Sequence, residues 1–336
     1  MPDRRPRAVL AMDPAHLPAL FPADLISRLT RLARLDPALC VEDFADERHA
    51  AALAEAEILI TGWGTPPLGA DALARMPELR AVLHSAGTVR QLITDAAWER
   101  GLLVTSAAQA NARPVAEFTL AAVVLAAKDA FALRERYRVE HVHPSPEQTA
   151  AVGTYRRRLG VIGASRVGRL LLELVRPLDL EVAVSDPYLD PEQAAELGAE
   201  PLELDELLAT SDIVSLHAPD LPATRHLIDR RRLGLIPDAG CFINTARGAL
   251  VDERALTEEL LSGRISAILD VTRVEPLSAG SPLYRLPNVF LTPHIAGSIG
   301  NERARLGAAV VAELECYRAG TGPLHPVRRT DLARIA

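Results

Sequence analysis

Residues 159–175, LGVIGASRVGRLLLELV, carry three signals in succession. Leu159, Val161 and Ile162 form a short apolar run of strand type, and Gly163, Ala164 and Ser165 make a tight turn of small residues. Val167, Leu170, Leu171, Leu174, Val175 and Leu178 then recur at the spacing of one helix face. Strand, glycine turn and helix in this order open a βαβ unit. The helix N-terminus of such a unit has free N–H groups and a positive dipole end, so it can hold a phosphate. Gly163 and Gly168 supply two glycines of G-x-G-x-x-G, and Ser165 stands where the middle one belongs. A Cβ there takes room from a pyrophosphate, while its hydroxyl can donate to one. A purely structural βα turn explains this broken motif nearly as well.

The next strand adds weight. Residues 180–184, LEVAV, are apolar but for Glu181 and lead to Asp186, 23 positions after Gly163. An acid at the end of the second strand accepts the ribose hydroxyls of NAD and repels the extra phosphate of NADP. No arginine in SDPYLDPEQ offsets it. Helical residues 202–208 follow, then strands at 213–217, 241–244, 265–271 and 289–291. Six strands from residue 159 onward match a doubly wound domain.

Residues 8–108 alternate strand and helix in the same way, with strands at 9–12, 58–61, 81–83 and 102–105. Trp63 and the turn Ser85-Ala86-Gly87 fall past strand ends, where ligands of parallel sheets bind, although Trp63 serves equally as a packing aromatic. A long helix is expected from Pro114 to about residue 136, with Pro114 in its first turn. Residues 139–157 read as a polar loop, so His141 and His143 are solvated rather than metal-binding. Residues 296–319 read as a helix returning to the first domain.

Composition narrows the classes. The chain has 336 residues, 49% of them hydrophobic, and a net charge of −7. Mild acidity gives no reason to expect nucleic acid or an anionic membrane as partner. Cys40, Cys241 and Cys316 are scattered, which suits a reducing cytoplasm. No signal peptide is expected at the N-terminus, and the most apolar stretch, 114–127, is short for a bilayer span.

Three polar residues follow three successive strands: Arg247 in INTARGALVDE, Glu275 in ILDVTRVEP and His294 in FLTPHIAGS. Reducing a 2-oxo acid needs a cation to hold the carboxylate and a proton donor for the carbonyl oxygen. Arg247 can supply the first through its fork, and His294 the second. Glu275 beside His294 would favour and orient the imidazolium, and no metal is then required. Each residue alone has a structural explanation as a cap, a loop acid or a buried histidine. Three complementary groups in succession are hard to explain that way.

These motifs resemble the D-isomer-specific 2-hydroxyacid dehydrogenase family through nearly the whole chain. NARPVAE at 111–117, LGVIGASRVG, SDPYL, SLHAPDLPATRHLI, INTARGALVDE, SGRISAILDVTRVEPL and NVFLTPHIAGS carry the likeness. The resemblance implies an α/β fold of two domains. A Rossmann-type doubly wound parallel sheet, 111–295, is inserted into a smaller flavodoxin-like α/β substrate domain, 1–110 and 296–336. It implies NAD as cofactor, bound by Thr119, Gly163, Ser165, Arg166, Val167, Gly168, Asp186, His217, Thr245, Ala246 and Asp270. It implies a small 2-oxo or 2-hydroxy acid substrate held by Arg247 with Trp63, Ala86 and Gly87, catalysis by Arg247, Glu275 and His294, and a homodimer. Three departures stand out: Ser165, Arg90 after the SAGTV turn, and Thr272-Arg273 where an aromatic and an acid are common. A dinucleotide-sensing regulatory protein of the same fold is the alternative, and turnover separates the two.

Overall fold

Apolar runs bounded by small or polar residues form twelve parallel strands among the described residues, 5–334, of this computed structural model. The chain divides into two units, 5–111 with 298–334, and 112–297. The first holds β1 (Ala8–Ala11), β2 (Cys40–Val41), β3 (Ile58–Thr61), β4 (Ala81–His84) and β5 (Leu103–Ser106), ordered β2-β1-β3-β4-β5. That is the flavodoxin-like order. Every residue of β1, β3 and β4 is buried, as in a parallel sheet covered on both faces. Leu25 and Leu29 of helix Ala23–Leu32 and Val310 and Leu314 of helix Arg303–Ala319 join Leu10, Ile60 and Leu83 in one core. Residues 1–4 and 335–336 of the expected first domain lie outside the described residues.

The second unit holds β6 (Arg157–Ile162), β7 (Leu180–Ser185), β8 (Glu200–Pro201), β9 (Ile213–Leu216), β10 (Cys241–Asn244), β11 (Ser266–Leu269) and β12 (Val289–Leu291). Their order, β12-β11-β10-β9-β6-β7-β8, is the Rossmann order with one strand added at β12. The register aligns the strand ends. Ser185, Ile162, Leu216, Asn244, Leu269 and Leu291 are successive partners across the sheet. One residue further on stand Asp186, Gly163, His217, Thr245, Asp270 and Thr292. The candidate ligand-binding residues are thus one row along the carboxyl edge.

Several expectations need correction. β2 and β8, two residues each, are absent from the sequence reading, and β8 makes seven strands of the expected six in the second unit, so that Arg247 follows the fifth. The helix face that is buried is Gly168, Leu171, Leu172 and Val175, one step round from the expected stripe. The helix expected to start at Pro114 runs from Ala108 to Ala127, with Pro114 inside it. Asn111 N–H already bonds Ala107 C=O, so the turn is formed before the proline, which costs only one further bond. At 20 residues this helix reaches span length, so shortness does not exclude a membrane segment. Its Ala122, Val123 and Ala127, however, pack in the core with Val161 and Leu171. It ends before Asp129, which is left-handed, and a second helix covers Ala130–Glu140. The last helix begins only at Arg303, after a 3-10 turn at Gly300–Glu302. The N–H groups of Ala296 and Ser298 are taken by the side chains of Asp270 and Asn111, which compete with helix formation.

Candidate active site

The glycine turn shows why two glycines remain and one does not. Gly163 has φ +95°, and a Cβ on it would lie 2.7 Å from Ala218 N. A Cβ on Gly168 would lie 2.0 Å from Gly163 O. Both are demanded by the fold itself. Ser165 has an ordinary extended backbone and caps helix Arg166–Val175, its Oγ accepting from Gly168 N–H at 3.4 Å. Its own O–H therefore remains available as a donor. The N–H groups of Arg166 and Val167 have no acceptor among the described residues. This is a site with the donors a pyrophosphate needs.

Asp186 closes the turn from the side. Its Oδ2 accepts from Ala164 N–H at 2.6 Å and its Oδ1 from Tyr188 N–H at 2.8 Å. The turn-acid and cofactor roles are compatible, because an ionised carboxylate has about four acceptor positions. Thr119 and Thr245, both buried, share a hydrogen bond of 2.9 Å. His217 is buried, its Nε2 bonded to Ser215 Oγ at 2.8 Å, and burial pushes its pKa down to about 3. Its side chain faces the core, and its backbone forms the wall behind Gly163.

Asn244 was missed from the sequence, although a polar residue ending the apolar strand CFIN must find partners. Its Oδ1 accepts from Ala246 N–H at 3.0 Å and its Nδ2 donates to Arg247 C=O at 3.1 Å. This staples the Thr245–Arg247 loop. The Arg247 guanidinium donates once, to Ala246 C=O at 2.6 Å, and most of its fork is left over.

Glu275 and His294 come together. His294 Nδ1 and Glu275 Oε2 are 2.7 Å apart, and Glu275 Oε1 accepts from Thr272 N–H at 3.1 Å. Both line a cavity of about 780 Å3. His294 adopts a left-handed backbone, φ 55°. Its N–H bonds Asp270 C=O at 2.9 Å. The buried Asp270 carboxylate holds the same loop, accepting from Thr292 Oγ1 (2.6 Å), Ile295 N–H (2.7 Å) and Ala296 N–H (2.9 Å). Thr292 is the second residue missed. With the two backbone N–H groups, its hydroxyl satisfies the oxygens of the buried Asp270 side chain. Glu275 is therefore more than a solvated loop acid.

In the first unit, the N–H groups of Ala86 and Gly87 have no acceptor among the described residues, which leaves a pair of donors for a carboxylate. His84 pins this turn: its Nδ1 is 2.9 Å from Thr61 Oγ1 and its ring bonds the Thr88 backbone. Burial lowers its pKa to about 4, so it is neutral at physiological pH. Trp63 packs edge-on against His16, with the Arg303 guanidinium 5.3 Å from its ring centre. Arg90 reaches the backbone oxygen of Leu332.

A Rossmann-ordered sheet with free N–H donors at its first βα turn is the architecture of a dinucleotide-binding domain, and this one also brings a carboxylate and a histidine together. Comparison with known proteins gives the family. Residues 120–296, more than half the chain, match the model of the D-isomer specific 2-hydroxyacid dehydrogenase NAD binding domain. The chain belongs to the D-isomer specific 2-hydroxyacid dehydrogenase family, and its cofactor is NAD. It is 35% identical over 273 residues to the D-3-phosphoglycerate dehydrogenase of Mycobacterium tuberculosis, covering 80% of this chain and 51% of that one. It is 31% identical to the glyoxylate reductase of Aeropyrum pernix, covering 79% and 81%. Among solved structures, a phosphoglycerate oxidoreductase from Rhizobium etli shares the fold, with a TM-score of 0.83 at 23% identity over 98% of this chain and 100% of that one. The chain spans about half the length of the phosphoglycerate dehydrogenases it matches.

Proposed function

We propose that this chain is an NAD-dependent oxidoreductase that interconverts a small 2-oxo acid and its D-2-hydroxy acid. The observation that carries this reading is the 2.7 Å contact between His294 Nδ1 and Glu275 Oε2. Glu275 accepts the Nδ1 proton and so aims Nε2 outward. Nε2 has no partner among the described residues and is free for a substrate oxygen. When bound, the dinucleotide supplies or accepts the hydride at the substrate's C2. In the reducing direction His294 gives its Nε2 proton to the carbonyl oxygen, and in the other direction it takes the proton back. Arg247 holds the carboxylate and polarises the carbonyl. Thr119, Gly163, Ser165, Arg166, Val167, Gly168, Asp186, His217, Thr245, Ala246 and Asp270 surround the cofactor.

A homodimer formed in the cytoplasm belongs to the same reading. Tyr137, Val139, Val142 and Tyr155 are apolar and exposed, a surface a second copy would cover. Free cysteines suit a reducing compartment.

The test is NADH oxidation with glyoxylate, hydroxypyruvate, pyruvate and longer 2-oxo acids, repeated with NADPH. Turnover that prefers NADH supports the proposal. NADH binding without turnover on any of these acids would favour a sensing role. Asp186→Asn keeps one acceptor for the turn but removes the charge. It is expected to lower the NADH-over-NADPH ratio of kcat/KM about tenfold, a change of roughly 1.4 kcal/mol. An unchanged ratio would leave Asp186 a turn residue alone.

A further inference from the structure

Arg273, one of the residues that departs from the family pattern, lines a second cavity of about 470 Å3 within the 112–297 unit. Arg225, His226 and Asp220 share its wall. The chain is acidic overall, and many arginines of this unit face a carboxylate, among them Arg157, Arg158, Arg230, Arg231, Arg232 and Arg264. Arg225 and Arg273 have no ion pair among the described residues. Two arginines without an ion pair among the described residues therefore line one hollow, and Asp220 is the one acid among its described lining residues.

The hollow is also built rather than loose. His226 N–H bonds Ala249 C=O at 3.0 Å and Ile228 N–H bonds Leu250 C=O at 3.0 Å, tying the loop that carries Arg225 to the one after Arg247. Thr224 Oγ1 closes the first loop on itself, donating to Pro219 C=O at 2.6 Å. Gly248 presses that second loop onto the third. A Cβ on it would sit 2.1 Å from Thr272 C and 2.3 Å from Arg273 N. Arg273 N–H is held by Glu253 Oε2 at 2.7 Å. The backbones that present both guanidiniums are thus fixed before any ligand arrives, which lowers the ordering cost of binding.

We propose that Arg225, His226 and Arg273 form an anion site for a phosphate group, either inorganic phosphate or a phosphate monoester. Guanidiniums match phosphate oxygens with paired N–H groups, and two of them carry about ten donors. The imidazole of His226 adds one more, and a phosphate must outweigh the repulsion of Asp220 through both arginines at once. The site adjoins the reacting groups along the chain. Arg273 is two residues from Glu275, and Ala249 two from Arg247.

Inorganic phosphate is the probe, titrated calorimetrically into the full chain saturated with NADH. Saturating the cofactor removes the other phosphate-binding place, the Ser165 turn. Saturable binding is expected, weakened about tenfold or more by Arg225→Gln and again by Arg273→Gln. Both arginines are exposed, so melting temperatures should stay at the wild-type value. No saturable binding, or binding equal in the double variant, would overturn the site. Kinetics then distinguish the source of the phosphate. Inhibition competitive with the 2-oxo acid means the site takes a phosphate carried by the substrate. Non-competitive inhibition or activation means a free anion acting as effector. Binding is measured without turnover, so its failure and that of the proposed activity are separable.

Discussion

His294→Ala is expected to lower kcat by about a hundred- to ten-thousand-fold, the span of general acid–base catalysis, while NADH binds almost as before. The residues proposed to bind the cofactor lie past other strand ends, in the helix Arg166–Val175 and in the helix Ala108–Ala127, and among the described residues none bonds to the imidazole. Alanine carries a complication, because the position is left-handed, with φ 55°. His294→Asn is the better companion, since asparagine tolerates that conformation. Both variants should be equally inactive. If His294→Asn turned over normally, the histidine would be no acid–base group. Glu275→Gln separates the pair. The amide oxygen can still accept from Nδ1–H, so the ring stays oriented, but the carboxylate beside it is gone. Turnover should fall less than in His294→Ala. NADH affinity, measured by fluorescence, should be flat across all three.

Much of this site is legible in the sequence because parallel sheets place function at one edge. Once the strands ending at Ile162, Asn244, Leu269 and Leu291 are recognised, the residues that follow must share a row, since register fixes partners across a sheet. Gly163, Asp186, Arg247 and His294 can therefore be assembled from linear order alone. What stays hidden is anything without a period or with a distant partner. β2 and β8 have two residues each, too few to show alternation. Pro114 obeys the first-turn preference only where nothing upstream is already helical, and Ala108–Arg113 is. Asn244 and Thr292 look like ordinary polar residues at strand ends. Their importance lies in the groups they bond, Ala246, Arg247 and Asp270, and for Thr292 the partner is 22 residues away. Ser165 teaches the converse. As a departure from the glycine motif it suggested a damaged cofactor site. Gly163 and Gly168 meet the steric demands of the turn, and Ser165 does the ordinary work of a helix cap.

Arg247→Gln is expected to reduce kcat/KM for the 2-oxo acid by about a hundredfold or more. Two charge-assisted hydrogen bonds to the carboxylate, each about 1.5–3 kcal/mol, disappear together. The loop should survive the change. Its shape is set by Asn244, whose amide holds Ala246 N–H and Arg247 C=O, and both are backbone groups that glutamine keeps. Among the described residues the guanidinium makes one bond of its own, to Ala246 C=O. A loss of activity at unchanged melting temperature would therefore report on substrate and not on folding. Arg247→Lys sharpens the point. Lysine restores the charge but not the fork, so it should recover only part of the loss, chiefly through KM. Added guanidinium ion should rescue Arg247→Gln and leave His294→Ala untouched. The reverse result would be equally decisive. If Arg247→Gln kept full kcat/KM and only lowered the melting temperature, the arginine would be a local clasp on the Gly248–Leu250 turn. Carboxylate recognition would then have to rest on the amides of Ala86 and Gly87.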